Sequence, residues 1–440
     1  MPGLLANLAH PWLLALYALV GPGAWLLFLA ATVMAYTRMN RLIRQREIHL
    51  PIEPPSVTVL VPAKDEGEGM RACLERVLAL DYPRATVLAI DDRSTDQTGA
   101  IMDEFAAAHP DRLRILHIPP GGLPPGWLGK CNALHTAAAG VTSDWLLFVD
   151  SDVKIAPQSL SAVLSVAAGR EYDAVSIMTR LETHTFWEKL ILPLAAASVG
   201  VMTLMSLTND DNRKHTAFAN GQFFLIRRNV YEGVGGHAAV RDNITEDVAL
   251  MRLIKARGYT TRLYYGQHLA STRMHTNLRQ MFNGWARIYS GVCERRPAPI
   301  LAAMLFVVLC GLSVYAALIL GAARAVHGDS LWLSLAVSHL ALMTIALVTI
   351  YRMSGNLVGY ALAFPVAGPV LLAIYGYAVR ACRTGRIAWR GTTYTSGSVS
   401  GGASVTPPAA SSSQAPSAAS TATATRAVPG ESPGAARVSP

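Results

Sequence analysis

The stretch Leu146-Leu147-Phe148-Val149-Asp150-Ser151-Asp152-Val153 places four apolar residues directly before two carboxylates that are one residue apart. So short an apolar run is typical of a buried strand. Asp150 and Asp152 then follow the end of the strand, where ligands bind in open α/β sheets. Side chains at positions i and i+2 of an extended segment point the same way. Two such carboxylates suit a divalent cation that carries a diphosphate; a polar loop that happens to hold two aspartates is the alternative.

The composition indicates a protein that is partly embedded in a membrane. Of its 440 residues, 51% are hydrophobic and 15% are charged, whereas soluble domains carry about 25% charged residues. The net charge is +9, but no basic stripe with interleaved aromatic residues occurs, so nucleic acid is not an expected partner. The five cysteines are scattered without a Cys-x-x-Cys pair, which indicates neither a zinc site nor a disulfide framework.

Four long apolar runs are candidates for membrane segments. The charge-free residues 11–36 can cross a bilayer, and the arginines that follow at 38, 41, 44 and 46 favour a cytoplasmic flank with the N-terminus outside. Three further runs lie at 299–323, 331–350 and 357–380, so a C-terminal transmembrane region is expected over 299–380.

The last apolar run leaves two alternatives open. Four crossings would put the tail outside, yet Arg380, Arg383, Arg386 and Arg390 favour the cytoplasm. Because prolines and glycines interrupt residues 357–380, this run either spans the membrane or re-enters on the same side. Residues 396–440 are rich in Ser, Ala, Thr, Pro and Gly and are expected to be disordered.

Residues 55–290 show strands that alternate with amphipathic helices. Strands are expected at 57–61, 85–90, 113–118, 145–149, 174–178, 222–226 and 260–264. Helices are expected at 67–80, 96–108, 129–139, 157–168 and 246–257, with Asp96 as a candidate N-cap. This order is typical of a mostly parallel sheet with right-handed crossovers. We therefore predict a cytosolic α/β domain with a Rossmann-like mixed sheet.

Residues 190–207 carry no charge and are long enough to span a membrane. A crossing here would separate Asp150 from the acidic motif at Glu246 and Asp247, and Pro193 interrupts the run. We therefore expect residues 186–208 to lie in the membrane interface beside the α/β domain. A helix buried in a soluble domain is the alternative.

Acidic residues follow three of the predicted strands: Asp65-Glu66 the first, Asp91-Asp92 the second, and Asp150 with Asp152 the fourth. Parallel strands bring their carboxyl ends to one edge of a sheet, so these groups should lie together. The carboxylate of Asp92 can accept the imide N–H of a uracil. Lys130, after a glycine-containing turn, can neutralise a phosphate, and a solvated surface lysine is the alternative.

Four motifs occur in an order that resembles the family 2 glycosyltransferases with the GT-A nucleotide-diphospho-sugar fold. They are Val61-Pro62-Ala63-Lys64-Asp65-Glu66, Asp91-Asp92-Arg93-Ser94-Thr95-Asp96, the Asp-x-Asp motif Asp150-Ser151-Asp152, and Thr245-Glu246-Asp247. The resemblance covers roughly residues 55–290. Pro124 to Lys130, Phe186-Trp187-Glu188, Gly284 to Arg287 and Trp389-Arg390-Gly391 are similar to the membrane-bound branch that includes hopene-associated and carotenoid or lipid glycosyltransferases.

The resemblance implies a donor site. Glu66 and Asp92 would contact the nucleoside, and Lys130 would approach the diphosphate. Asp150 would help to position the nucleotide, while Asp152 would ligate Mn²⁺ or Mg²⁺. The implied donor is a nucleotide-diphospho-sugar, with UDP as the expected nucleotide.

The resemblance also implies a catalytic and acceptor site. Asp247, in one motif with Glu246, would be the general base of an inverting displacement; an acidic first helical turn is the alternative for this pair. A helix N-terminus favours the ionised form, whereas a base should titrate near the working pH, so some counter-effect is required. Gln222, Trp285 and Arg287 would contact acceptor or diphosphate, although an amphipathic interfacial helix explains the last two equally well.

One departure separates the chain from processive relatives, which carry Gln-x-x-Arg-Trp. The comparable stretch Gln280-Met281-Phe282-Asn283-Gly284-Trp285 lacks that spacing. We expect a multi-pass enzyme of the cell (inner) membrane that moves a single sugar to a lipid acceptor (isoprenoid, carotenoid, hopanoid or sphingolipid-like). A processive polysaccharide synthase and a non-catalytic membrane scaffold are the alternatives. His268 and His275 are interpreted as packed or interfacial residues rather than ligands.

Overall fold

The structure, a computed structural model, describes residues 11–39, 53–384, 386–389 and 392–395. It consists of an α/β domain joined to long apolar helices. The arginines at 41, 44, 46 and 390 and the predicted disordered tail over 396–440 lie outside the described residues.

The strands and helices of the α/β domain follow the predicted alternation. The strands are β1 Val57–Ala63, β2 Ala85–Asp92, β3 Leu113–Ile118, β4 Trp145–Phe148, β5 Val153–Ile155, β6 Ala174–Met178, β7 Arg180–Leu181, β8 Phe224–Arg227, β9 Thr261–Tyr265 and β10 Ala270–Thr272. The helices are Gly69–Leu78, Thr98–Ala108, Gly129–Ala138, Ser159–Gly169, Phe186–Met202, Arg228–Gly233, Glu246–Ala256 and Leu278–Val292. A short pair of strands, Arg386–Trp389 and Thr392–Thr395, follows the last apolar helix.

The main sheet has seven strands in the order β3-β2-β1-β4-β8-β6-β9. The pairs β1–β2, β2–β3, β1–β4 and β6–β9 are parallel, whereas β8 runs antiparallel to both β4 and β6. The sheet is therefore mixed, as expected. Because β2, β1 and β4 are parallel neighbours, their acidic carboxyl ends meet at one edge, and this prediction is confirmed.

Alternating residues of the central strands pack against opposite faces of the sheet. Val59 and Leu147 belong to a core cluster with the helix Gly69–Leu78, while Leu60 and Leu146 belong to a second cluster with the helix Gly129–Ala138. Both sets are fully buried. A strand buried on both faces reads as a continuous apolar run, which is why Leu146 to Val149 could be recognised from the sequence.

A second, three-stranded sheet has the order β5-β10-β7, and the sequence did not predict it. Its first strand begins at Val153, directly after Asp152. The hydroxyl of Thr272 in β10 donates to the carbonyl oxygen of Asp152 at 3.3 Å. This sheet therefore anchors the end of the Asp-x-Asp motif.

Among the described residues, four helices are long and apolar enough to cross a membrane: Pro11–Met39, Ala298–Ala325, Leu331–Met353 and Val358–Thr384. This matches the expected one N-terminal and three C-terminal segments. The first contains a π-helical stretch at Leu19–Gly23 around Pro22, since a proline cannot donate the backbone hydrogen bond of a regular turn.

Most of the uncharged run that begins at Leu190 belongs to the 17-residue helix Phe186–Met202, in which residues 190–195 are all buried. The hydroxyl of Tyr289 donates to the carbonyl of Ala195 at 3.0 Å, and the hydroxyl of Tyr351 donates to that of Leu190 at 2.6 Å. The helix therefore lies between the α/β domain and the apolar helices. Its placement in the membrane interface stays a prediction.

The last apolar segment contacts the α/β domain near both of its ends. Asn356 pairs with Thr183 just before it, and the hydroxyl of Tyr375 donates to Ser198 at 2.6 Å near its end. Between these contacts, Phe364 packs on Trp25 of the first apolar helix. The spanning and the re-entrant alternatives for this segment both stay predictions.

Candidate active site

A cavity of about 530 Å³ opens at the acidic edge of the main sheet. Eight of the predicted site residues line it: Glu66, Asp92, Lys130, Asp150, Asp152, Gln222, Glu246 and Arg287. They come from seven separate parts of the chain. The structure therefore brings the predicted donor residues and part of the predicted acceptor set into one cavity.

The turns after β1 and β2 are tied together beside this cavity. Asp65 adopts a left-handed backbone conformation, with φ of 50°, and its carboxylate accepts from the backbone N–H of Thr95 at 2.7 Å. The hydroxyl of Ser151 donates to the carboxylate of Glu66 at 2.5 Å. Backbone strain of this kind is held by surrounding contacts and is common at functional sites. The contact of Ser151 with Glu66 was not predicted.

Asp92 is buried and paired with its neighbour in the sequence. Both of its carboxylate oxygens accept from the guanidinium of Arg93, at 2.7 and 2.9 Å. A Cβ on Gly129 would lie 2.5 Å from Asp92 Oδ2, so only glycine allows the helix Gly129–Ala138 to start this close. A carboxylate has about four lone-pair sites, which leaves Asp92 able to accept a further hydrogen bond.

Lys130 joins the Asp-x-Asp motif to the Glu-Asp motif. Its Nζ lies 2.6 Å from Asp150 Oδ1 and 2.6 Å from Glu246 Oε1. Burial alone would lower the pKa of Lys130, but Asp150, Glu246 and Asp247 outweigh it and raise this pKa well above its usual value. The lysine is therefore a cation between two carboxylates, Asp150 and Glu246, that belong to separate motifs of the sequence.

Asp247 lies behind Glu246 and lines a small void next to the main cavity. Its Oδ2 accepts from the backbone N–H of Gly221 at 2.6 Å. Burial raises the pKa of Asp247 to about 7, and the charge of Glu246 adds to this rise while Lys130 opposes it. Burial is thus a counter-effect of the kind that the predicted base at a helix N-terminus would require. Thr245 precedes the helix as expected, but its side chain makes no capping hydrogen bond.

Gln222 is held in the cavity wall by neighbouring polar groups. Its side-chain carbonyl accepts from the hydroxyl of Thr179 and from the amide of Asn220, the latter at 3.2 Å. With that oxygen engaged, the amide NH₂ is the group that Gln222 can offer to a ligand.

The structure places Trp285 away from the cavity, unlike its predicted position at the acceptor site. The indole is buried in the cluster between the α/β domain and the apolar helices, where its ring packs on Tyr289. Met281, Trp285 and Tyr289 are spaced by four residues and form the inner side of the helix Leu278–Val292. On a helix such residues share one face, so Trp285 belongs to the packed face of an amphipathic helix, and the interfacial position of that helix stays a prediction.

The opposite side of this helix faces the cavity. Gln280, Asn283, Gly284 and Arg287 line the cavity, with spacings of three and four residues. The first three were not predicted as site residues, although their helical spacing with Arg287 was visible in the sequence.

His275 is both packed and part of the cavity wall. Burial and the nearby Arg287 lower the pKa of His275 to about 4, so its imidazole is neutral at pH 7. A Cβ on Gly284 would lie 2.4 Å from His275 Nε2. Gly284 is therefore the residue that lets the imidazole ring approach the helix.

We expect Gly284→Ala to destabilise the protein by about 1–3 kcal/mol, because the added methyl group overpacks the His275 ring. Alanine favours a helix over glycine by about 1 kcal/mol, so without this clash the variant would be more stable. Thermal unfolding of the full chain in detergent measures the difference. Gly169→Ala, at a helical position with no atom within 4 Å of the new Cβ, is the control, and an increase in Tm for Gly284→Ala would contradict the prediction.

The donor set of the cavity fits a divalent cation. Asp150 and Asp152 both line it, and carboxylate oxygens are ligands that Mg²⁺ takes together with substrate phosphates. Among the described residues, no group of three or more His, Cys, Asp or Glu side chains could hold a metal ion. A cation here would therefore depend on phosphate oxygens of a bound nucleotide.

Comparison with known families and relatives adds a second line of observation. The model of glycosyl transferase family 21 matches residues 23–400. A 4,4'-diaponeurosporenoate glycosyltransferase of Staphylococcus haemolyticus is 24% identical over 262 residues, which are 58% of this chain and 67% of the relative. The enzyme of the same name from Staphylococcus aureus strain MRSA252 is 22% identical over 251 residues, 56% of this chain and 64% of that enzyme. The match thus spans about two thirds of these relatives.

Among solved structures, the mannosyltransferase PcManGT from Pyrobaculum calidifontis, in complex with GDP-Man and Mn²⁺, is similar to this chain. The sequence identity is 18% and the TM-score is 0.48, over 84% of this chain and 97% of that protein.

Proposed function

The chain belongs to glycosyl transferase family 21, and from this premise we propose that it transfers a single sugar from a nucleotide-diphospho-sugar to a membrane lipid. The GT-A-type fold and the relation to carotenoid-type glycosyltransferases expected from the sequence are confirmed. The family model that matches is that of family 21, whereas the sequence motifs resembled those of family 2. The observation that carries the proposal is the cluster of Lys130 with Asp150 and Glu246 in a cavity that also contains Asp152.

The proposed donor lies along the acidic edge of the sheet. Glu66 and Asp92 accept hydrogen bonds from the nucleoside, which is uridine if the donor is the expected UDP-sugar. Asp150 and Asp152 would hold Mn²⁺ or Mg²⁺ against the diphosphate, and Lys130 keeps Asp150 in place. When bound, the cation stabilises the negative charge of the departing diphosphate as a Lewis acid.

The proposed reaction is one direct displacement. The oxygen of an acceptor hydroxyl attacks the anomeric carbon, and the bond from that carbon to the diphosphate oxygen breaks with its electron pair on the nucleoside diphosphate. Asp247 takes the hydroxyl proton, for which a pKa near neutrality is well suited. Attack from the side opposite the leaving group inverts the anomeric configuration. Gln222 and Arg287, in the wall of the main cavity, orient the acceptor and the diphosphate.

The acceptor is proposed to arrive from the membrane side. The helix Leu278–Val292 has one side in the cavity and the other against the helix Phe186–Met202 and the apolar helices. A lipid hydroxyl at the membrane surface can therefore reach the cavity along this helix. A re-entrant segment after Asn356 would leave Arg380 and Arg383 on the same side as the α/β domain, which agrees with the positive-inside rule and with a cytoplasmic catalytic domain.

A screen of donors and lipid acceptors with the purified full chain tests the function. UDP- and GDP-sugars are incubated with a carotenoid carboxylic acid, a hopanoid, ceramide and an isoprenoid alcohol in detergent with Mn²⁺. We expect one lipid to gain a single hexose by mass spectrometry. A polymeric product would instead establish the processive synthase, and the absence of both transfer and nucleotide binding would favour the non-catalytic scaffold.

A further inference from the structure

A second cavity, of about 630 Å³, opens on the outer side of the three-stranded sheet and shares no lining residue with the transfer cavity. Its charged lining side chains are Arg76, Lys154, Arg180 and Glu182, accompanied by His184 and His268. The proposed sugar transfer uses none of these residues. The cavity therefore needs an explanation of its own.

The sheet places two of these cations in one row. Lys154 of β5 lies opposite Ser271 of β10, and Ser271 lies opposite Arg180 of β7. Residues directly opposite each other on neighbouring strands point to the same face. Val153 and Ile155, which alternate with Lys154, are buried on the other side. The row Lys154–Ser271–Arg180 thus forms the floor of the cavity.

The positive charge of this cavity is only partly balanced. Glu182 pairs with Lys154 at 2.6 Å and accepts from the hydroxyl of Ser271 at 2.8 Å. Within the part of the chain that the structure describes, Arg76 and Arg180 have neither an ion pair nor a side-chain hydrogen bond. Two guanidinium groups in one cavity are thus left to bind an anion, and their planar donors match the oxygens of a phosphate.

The cavity lies at the junction between the α/β domain and the membrane helices. A Cβ on Gly355, in the loop directly after the apolar helix Leu331–Met353, would lie 3.7 Å from Arg180 Nε. The side-chain amide of Gln267, also in the cavity lining, donates to the carbonyl of Met353 at 2.9 Å. The unneutralised charge is therefore at the level where this helix would leave a bilayer.

An exposed apolar rim continues from the cavity on the membrane side. Phe186, Leu357 and Leu362 have 51%, 69% and 73% of their surface exposed. The ring of Phe186 lies beside that of Tyr360, with 5.9 Å between the ring centroids, and so joins the two parts of the rim. A free phosphate makes no use of an apolar surface, whereas the acyl chains of a lipid can pack against this rim.

We propose that this cavity binds the phosphate headgroup of an anionic membrane lipid, with Arg76 and Arg180 on the phosphate and the acyl chains against the rim of Phe186 and Leu357. Cationic side chains close to a membrane surface are attracted to anionic lipids. The inference is independent of the proposed sugar transfer, since the cavity and its ligand are separate from the catalytic cluster.

Native mass spectrometry of the detergent-purified full chain tests the inference by titration with phosphatidylglycerol and, separately, phosphatidylcholine. We expect Arg76→Gln/Arg180→Gln to bind phosphatidylglycerol at least roughly tenfold more weakly, since each cation near a surface contributes about 1 kcal/mol. Arg112→Gln/Arg114→Gln removes two exposed arginines at the start of β3, the strand at the far edge of the main sheet, and should bind like wild type. Glu182→Gln removes the carboxylate that pairs with Lys154, so this variant should bind phosphatidylglycerol more tightly than wild type. Such an increase in affinity is not expected if these residues have only a structural role.

Three results would overturn the inference: phosphatidylglycerol binding that the Arg76/Arg180 double variant retains, equal binding of phosphatidylcholine, or an unchanged affinity in Glu182→Gln. Complete displacement of phosphatidylglycerol by millimolar inorganic phosphate would assign the cavity to a soluble anion and would also overturn the lipid assignment. Circular dichroism and size-exclusion profiles identify a variant that fails to fold, in which case Arg180→Gln alone and Glu182→Gln decide.

Discussion

Asp247→Asn is expected to lower kcat for sugar transfer by about a thousandfold, within the range of roughly 10² to 10⁴ that general base catalysis contributes. Asparagine keeps the size of the side chain and an oxygen that can accept from Gly221, but it cannot take the proton of the acceptor hydroxyl. The measurement is single-turnover transfer of a radiolabelled sugar by the full chain. Asp242→Asn, an exposed aspartate in the same segment, is the matched control and should transfer at the wild-type rate.

The pH dependence of transfer distinguishes a base from a structural residue. A carboxyl with a pKa of about 7 is protonated below that pH and cannot accept a proton. For wild type, kcat/KM should therefore rise as the pH rises through 7 and level off above it, while Asp247→Asn should lack this acidic limb. Equal rates for both proteins, or the same acidic limb in the variant, would exclude Asp247 as the base.

Asp152→Ala should weaken metal-dependent nucleotide binding by at least about a hundredfold, the upper end of what the loss of an outer-shell partner costs a metal site. The side chain of Asp152 is exposed in the cavity, and its backbone contact with Thr272 survives the substitution. The expected loss is therefore one of binding and not of folding. Isothermal titration of UDP and GDP, with Mn²⁺ and with EDTA, measures it.

The control for Asp152→Ala is Asp111→Ala, which removes an exposed aspartate outside the cavity. It should leave the Mn²⁺-dependent affinity unchanged. If Asp152→Ala also keeps this affinity, then Asp152 does not ligate the metal, and Asp150 becomes the remaining carboxylate of the Asp-x-Asp motif.

The two faces of the helix Leu278–Val292 show what residue spacing can predict about a site and what it cannot. Trp285 and Arg287 were both expected near the acceptor, yet only Arg287 lines the cavity. The four-residue spacing of Met281, Trp285 and Tyr289 defines an apolar face, but periodicity alone cannot say which face meets a ligand. The packing of Trp285 against the membrane-side cluster decides that question.

The pairing of strands could likewise be predicted only in part from the sequence. The apolar run before Asp150 and the repeated strand–helix order sufficed to predict the carboxyl-end cluster, because parallel neighbours share an edge. The antiparallel direction of β8 and the sheet of β5, β10 and β7 could not be predicted in this way. Strands of three or two residues carry too little periodicity, and they pair with partners about a hundred residues away.

The sequence alone was enough to predict the apolar helices, the alternating α/β domain and the motifs that carry carboxylates. Helical periodicity, strand periodicity and long uncharged runs are local properties of the chain. Only the folded chain places Lys130 between Asp150 and Glu246 and buries Asp247 so that its pKa rises to about 7. Electrostatic interaction depends on distance and burial, and for groups far apart in the chain both are set by tertiary packing. The same reason applies to Arg76 and Arg180, which share a cavity only in the folded protein.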